Sequence, residues 1–208
     1  MVKQPLEYEQ NVFINCPFDD AYKPLFDAVV FAVQICGFRP RCALEARNAG
    51  QARLERIMNI ISECKYGVHD ISRTELDKTS SLPRFNMPFE LGLDLGARRY
   101  GSSQHRSKRL LVMDRNSHRY QKFLSDLAGL DVVPHSEKTR NIVRHVRDWL
   151  SLESENPHLP GGLYIYKRYQ LFQRELPLFG RDRKLDISEL TFGDFTHILR
   201  IYLEEDEN

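Results

Sequence analysis

Between residues 11 and 150, short β-type runs alternate with helix-patterned segments, and no other feature restricts the fold as much. Asn11–Cys16 (NVFINC) is a β-type run. The turn PFDD follows, and then a helix over Tyr22–Cys36 whose Leu25, Phe26, Val29, Val30 and Val33 recur at helical spacing. Gly37 stands just past that helix, where a left-handed residue is wanted. Phe38–Leu44 reads as the second strand and Gln51–Cys64 as an amphipathic helix with Leu54, Ile57, Met58 and Ile61 on one face. Tyr66–Ile71 (YGVHDI) is the third strand, and a long polar loop leads from it to PRFNMPFELGLDLG and a helix ending near Tyr100. Arg109–Met113, a helix over Tyr120–Leu127, the short strand Asp131–Pro134 and a helix over Thr139–Leu150 complete the series.

Five strands separated by helices imply a parallel sheet covered on both faces. Right-handed crossovers leave few topologies, and the one expected is α/β and flavodoxin-like, a doubly wound sheet in the order 2-1-3-4-5. Ligands bind such sheets beyond the carboxyl ends of the strands, near the switch in strand order. The loops after strands one and three, with Asp19, Asp20, Asp70 and Glu90, are therefore expected to flank one crevice.

The pattern changes after Leu150. ESENPHLPGG reads as a linker, followed by helices over Leu163–Leu176 and Ile187–Glu204, the second with Asp186 or Ser188 near its N-cap. Residues 1–150 are expected to form the α/β domain and 151–208 a helical appendage. Its dense aromatics, Tyr164, Tyr166, Tyr169 and Phe172, would either pack on the main domain or bind a partner protein or a second copy. Thirty basic residues against twenty-nine acidic ones give no strong basic field, so nucleic acid is not an expected partner. No apolar run approaches the roughly 18–20 residues needed to span a bilayer, and MVKQPLEYEQ is too polar for a signal peptide. Cys16, Cys36, Cys42 and Cys64 show no CxxC spacing, which points to reduced, buried thiols in a cytoplasmic protein without a bound metal. GxGxxG, GxxxxGK[ST] and GxSxG are all missing, so a dinucleotide fingerprint, a P-loop and a serine-hydrolase elbow have no support, and no resident cofactor is expected.

Glu90 draws two readings. With Met87 as N-cap and Pro88 as the first helical residue, Glu90 occupies the capping-box position, where the helix dipole favours its charge by roughly 0.3–1 kcal/mol. The same charge would stay ionised at neutral pH and could serve as a nucleophile or as a stabiliser of positive charge. Gly92 and Gly96, each costing roughly 1 kcal/mol against Ala in a helix interior, imply close approach of backbone or ligand. Asp94 is expected to pair with Arg98 at i+4. Asp70, closing the third strand, reads equally as a functional carboxylate or as an Asx turn, with His69 packed or at the surface on the opposite face. Pro17 stiffens the exit of the first strand, Phe18 is placed to line a pocket, and Asp19 or Asp20 to cap the next helix. Arg39, Arg41, Arg47 and Arg53, with Arg73 and Arg84 in the long loop, are singly solvated charges; gathered at one crevice they could hold a phosphate or pyrophosphate.

Together these segments resemble the nucleoside 2-deoxyribosyltransferases and the related TIR domains. NVFINCPFDD is similar to the opening strand and Pro-Phe turn of the transferases, YGVHDIS to their third strand with its terminal aspartate, and NMPFELGLDLGARR to the segment holding their catalytic glutamate. The likeness runs over residues 11–150 and leaves the appendage uncovered. It implies cleavage of an N-glycosidic bond, with Glu90 as the nucleophile or as the carboxylate that stabilises the oxocarbenium-like centre. It further implies that Asp70 orients Glu90 or the sugar, and that Pro17 and Phe18 shape the base pocket. Cys16, Asp19, Arg41, Arg84, Asn86 and Met87 are the other residues expected to bind the substrate. NAD or a related nucleotide is the expected substrate. The alternatives are a deoxyribosyltransferase or nucleotide N-hydrolase, and a non-catalytic nucleotide-sensing module assembled through its C-terminal helices. TIR-like proteins often serve in bacterial immune or stress signalling. Phe85-Asn86-Met87-Pro88 departs from the glycine-containing approach of the transferases, and the arginine-bearing 72–87 loop suggests a larger or more anionic ligand than a plain nucleoside.

Overall fold

The computed structural model describes residues 5–45, 50–76 and 81–206. A six-residue helix, α1 (Pro5–Gln10), runs straight into β1 (Asn11–Asn15) and is too short for periodicity to reveal. Then come α2 (Lys23–Ile35), β2 (Arg39–Arg41), α3 (Arg53–Ser62), β3 (Tyr66–Asp70), α4 (Asn86–Tyr100), α5 (Ser103–Arg106), β4 (Arg109–Asp114), β5 (Val132–Pro134) and α6 (Thr139–Glu153). The five strands form one all-parallel sheet in the order β2-β1-β3-β4-β5, the flavodoxin-like arrangement. The second strand is shorter than Phe38–Leu44 because it lies at the edge and carries Pro40, which cannot donate to a ladder. A single helix over Tyr120–Leu127 does not form. Two 3-10 turns, Arg119–Lys122 and Ser125–Leu127, take its place, burying Tyr120 while Phe123, Leu124 and Leu127 pack against the same cluster.

Alternation along the strands divides the core. Val12, Ile14, Tyr66, Val68, Leu111 and Met113 join the cluster built on α2 and α6, whereas Phe13 packs with α3 and Val112 with Leu91 of α4. Helix α2 is apolar nearly all round, with an unbroken buried run from Leu25 to Val33, and such a helix must be covered on every side. The cover comes from the C-terminal helices α7 (Gly162–Asp182) and α8 (Phe192–Asp206). The Phe31 ring lies 5.5 Å from Tyr169 and 5.6 Å from Phe172, and Tyr169 Oη donates to Pro24 O at 2.9 Å. Residues 162–206 thus complete the main core. The expected helix over Ile187–Glu204 is split. Asp186 caps a 3-10 turn at Ile187–Glu189, and α8 starts afresh with a reciprocal cap in which Asp194 N–H donates to Thr191 Oγ1 and Thr191 N–H to Asp194 Oδ2, each at 3.1 Å.

On the α4 face the sheet admits a buried charge. Asp94, fully excluded from water, meets Lys108 Nζ at 3.1 Å and His69 Nε2 at 3.0 Å, and both partners are equally buried. Asp94 is therefore not paired with Arg98, because its turn of α4 faces the sheet. Lys108 also donates to Ile61 O at 2.8 Å and to Cys64 O. Gly67 in β3 is closely packed against this network: a Cβ there would stand 2.6 Å from Asp94 Oδ2 and 2.8 Å from His69 Nε2. Gly92 and Gly96 have open space instead, so no neighbouring backbone approaches them closely. Replacing Gly67 by Ala should destabilise the protein by about 1–3 kcal/mol through overpacking, whereas Gly96→Ala should be neutral or slightly stabilising. Urea unfolding of the two variants checks this contrast.

Candidate active site

At the carboxyl edge of the sheet, between β1 and β3, a cleft of about 380 Å³ opens where the strand order switches. The turn after β1 contributes Asn15, Cys16, Pro17, Phe18 and Asp19, the start of α3 contributes Arg53, and the approach to α4 contributes Arg84, Asn86, Met87 and Glu90. Eight of the residues expected at the site thus share one cleft: Cys16, Pro17, Phe18, Asp19, Arg84, Asn86, Met87 and Glu90. Asp70 and Arg41 do not line it. Arg41 is bound to Glu45 at 2.7 Å and Glu63 at 3.1 Å and, with Arg39, lines a different cleft beside β2. Of the six arginines considered, only Arg53 and Arg84 reach the Glu90 cleft among the described residues, and Arg47 lies outside those residues.

Helix α4 begins two residues earlier than the capping-box reading requires. Phe85 is its N-cap and makes no side-chain cap, so Glu90 is the fifth helical residue and lies beyond the first turn. Glu90 is therefore no cap. Its side chain is buried, 7% exposed, and its charged partner is Arg53, half exposed with Nη2 3.8 Å from Oε1. No hydrogen-bond donor among the described residues reaches the carboxylate. Burial pushes its carboxyl up to about 7 against the pull of Arg53. The expectation that helix position keeps Glu90 ionised is thus overturned: desolvation outweighs the dipole, and at neutral pH both protonation states are populated.

Asp70 is a different kind of carboxylate. Strand alternation turns it to the α2 face, away from Glu90, where it is fully buried. It accepts from Tyr22 Oη and from Ser72 N–H at 2.8 Å, and His135 Nε2 lies 3.1 Å away. Glu137 N–H donates to His135 Nδ1 at 3.0 Å, which assigns the ring proton to Nε2, facing Asp70. Burial pushes the Asp70 carboxyl up, but His135, with Ser72 and Tyr22, outweighs it and holds the group below its ordinary value. Asp70 therefore does not orient Glu90. The Asx-turn reading describes its bond to Ser72 N–H.

His69 is the strand residue on the Glu90 face. Asn15 Nδ2 donates to Met87 O at 2.8 Å and to His69 Nδ1 at 3.1 Å, while His69 Nε2 bonds Asp94. Asn15 thereby fixes the first turn of α4 to the sheet. Nothing in a lone strand-end asparagine marks that role in sequence; the signal is a polar residue on the strand face that it shares with Asn11 and Phe13. Asp19 accepts from Tyr22 N–H and holds Arg84 at 3.0 Å across the cleft mouth. Cys16 is buried, and burial together with the nearby Asp70 pushes its thiol well up, so it supplies no thiolate. All four cysteines are free and buried. Among the described residues no group of three or more His, Cys, Asp or Glu is placed to hold a metal, and no helix is long and apolar enough to cross a membrane.

Fold and site together define a flavodoxin-like α/β protein with a buried, readily protonated carboxylate at its topological switch point. No protein-family model, curated protein or solved structure matches this chain.

A carboxyl titrating near 7 instead of its ordinary 4.5 binds its proton more tightly in the folded chain. The stability it contributes is present below about pH 4.5 and is lost as pH rises through 7, on the order of 3 kcal/mol by pH 8. Glu90→Gln keeps the shape and cannot ionise. Its melting temperature should therefore exceed that of the parent by several degrees at pH 8 and match it near pH 4, as scanning calorimetry at the two pH values would show.

Proposed function

We propose that this protein is an N-glycosidase-type enzyme that cleaves the ribosyl–base bond of NAD or a related nucleotide, with Glu90 as the carboxylate that meets the anomeric carbon. The observation that carries this reading is the state of Glu90, a desolvated carboxylate in a cleft with one partly exposed cation 3.8 Å away. Such a group gains most from a bound positive charge, and the nicotinamide end of NAD brings one. Approach of the cationic ring favours loss of the Glu90 proton. The C–N bond then breaks with its electron pair going to the ring nitrogen, so nicotinamide departs neutral and needs no proton. The positive charge left on the ribosyl carbon is stabilised or captured by Glu90, as in retaining glycoside hydrolysis. Water completes the reaction and releases a proton. Arg53 and Arg84 at the same cleft suit the phosphates of such a substrate.

The same raised carboxyl favours a second reading, in which protonated Glu90 donates to a leaving base that departs as an anion, as a nucleoside or nucleotide N-hydrolase or a deoxyribosyltransferase would require. The resemblance also carries the first reading towards immune or stress signalling in a bacterial cytoplasm, with the ligand as substrate and not as a resident cofactor.

Purified protein incubated with NAD, nucleoside monophosphates and deoxynucleosides, with released base read by chromatography, distinguishes these readings. Release of nicotinamide is expected, falling at least about a hundredfold in Glu90→Gln. In the first reading kcat/KM drops as pH falls below about 7, because the ionised carboxylate is required. In the second it drops as pH rises above that value. Base release undiminished in Glu90→Gln would overturn both.

A further inference from the structure

A second, smaller hollow of about 130 Å³ shares Phe18 and Asp19 with the Glu90 cleft. Further walls come from α2, through Phe26 and Asp27, from Asp20 and Leu44 after the first two strands, and from α8 and the residues before it, through Leu190, Phe192 and Phe195. We propose that this hollow receives the second planar base of a dinucleotide whose scissile ribosyl bond lies at Glu90, so that the C-terminal helix selects dinucleotides over mononucleotides. This assignment rests on the proposed function and adds to it the substrate class and a specificity element outside the α/β sheet.

Three features point to a flat, amino-bearing ring. The walls are aromatic: Phe18 meets Phe26 edge-on at 5.4 Å between ring centres, and Phe26 lies 6.0 Å from Phe192. Phe18 remains 36% exposed although it lines both hollows, so a large apolar side chain stands in water at the junction. A ligand running between the hollows would cover it. Finally, Asp27 sets a carboxylate into this apolar wall at only 5% exposure. Lys23 Nζ reaches both Asp27 oxygens at 3.0 Å, yet an ionised carboxylate accepts about four bonds, which leaves capacity for the N–H groups of an aminopurine edge. Burial holds the Asp27 carboxyl above its ordinary value in spite of Lys23 and Gln173. Between the two hollows lies Asp19, whose charge is already met by Arg84 at 3.0 Å, and that guanidinium is the group a linking diphosphate would meet.

The test measures binding separately from turnover. In a Glu90→Gln background, calorimetric titration compares NAD with nicotinamide mononucleotide, which lacks the second base. Leu190→Trp fills the hollow from the α8 side, and Asp27→Asn removes one acceptor from the α2 side while keeping the shape. Each is expected to weaken NAD binding about tenfold or more and to leave the mononucleotide unchanged within about twofold. Unchanged circular dichroism and melting temperature identify variants that fold. Equal weakening of both ligands, no weakening in either variant, or no NAD binding at all would overturn the assignment. Selective weakening of NAD with no base released by the parent protein would retain the subsite and sink the catalytic reading. Equal KM for the two ligands in the parent and Leu190→Trp, with nicotinamide released from both, would do the reverse.

Discussion

The Asp94 carboxylate, shut away from water between Lys108 and His69, decides where α4 lies. A charge buried so deeply is tolerated only with partners, and removing one partner of such a pair costs about 3–5 kcal/mol, a large share of the stability of any domain. The three groups come from β3, α4 and the residue before β4, so the helix can neither slide nor rotate without unpairing a charge. Gly67 makes the arrangement sterically feasible, since any side chain there would occupy the space of the carboxylate. Glu90 lies one turn before Asp94 on the same helix, and Asn15 ties the carbonyl of Met87 to the same network. A rigidly held helix is what keeps the Glu90 carboxylate in a dry wall, where relaxation towards water would otherwise relieve its desolvation.

The two carboxylates at the carboxyl edge show how surroundings separate structural from chemical roles. Asp70 is the more buried of the two, yet two donors and the adjacent His135 hold it ionised. Its charge is spent on joining Tyr22, Ser72 and His135, which ties the loops after β1, β3 and β5 together beneath the cleft. Glu90 has one cation at long range and retains an open side towards the cleft. Changing the charge of Asp70 would break a satisfied network, whereas changing that of Glu90 relieves an unsatisfied one. A group of the second kind is able to respond to a ligand.

Sequence reveals the sheet well because its signal is local. Each strand is an apolar run and each crossover helix repeats at 3.6 residues, and handedness does the rest. The turn after β1 and the approach to α4 were also legible, since topology alone brings the ends of neighbouring strands together. Charge partners were not. Asp94 and Arg98 stand at an ordinary i,i+4 spacing, and only the burial of that face of α4 shows that Lys108, fourteen residues beyond Asp94, is the partner. Helix position misleads about the Glu90 carboxyl for a related reason. Helix position favours its charge by at most about 1 kcal/mol, while the desolvation that opposes it depends on residues from three separate segments. For Asp70 the alternation of β3 did carry the answer, because adjacent strand residues point to opposite faces and His69, not Asp70, shares a face with α4.

The C-terminal helices alter what counts as the site. Helix α2 is too apolar to face water, so α7 and α8 are required wherever the sheet is folded, and Phe192 and Phe195 belong to the main core. Those same two residues wall the hollow next to Phe18. Residues that must stay packed for stability make rigid pocket walls, because a ring already fixed on one side loses little freedom when a ligand covers the other. The polarity of the arrangement follows from the sheet. Its catalytic candidate stands on the α4 face, its charge-anchored loops on the α2 face, and the turn after β1 passes between them. A ligand long enough to cross that turn would be read by both faces at once, while a shorter one would meet Glu90 alone.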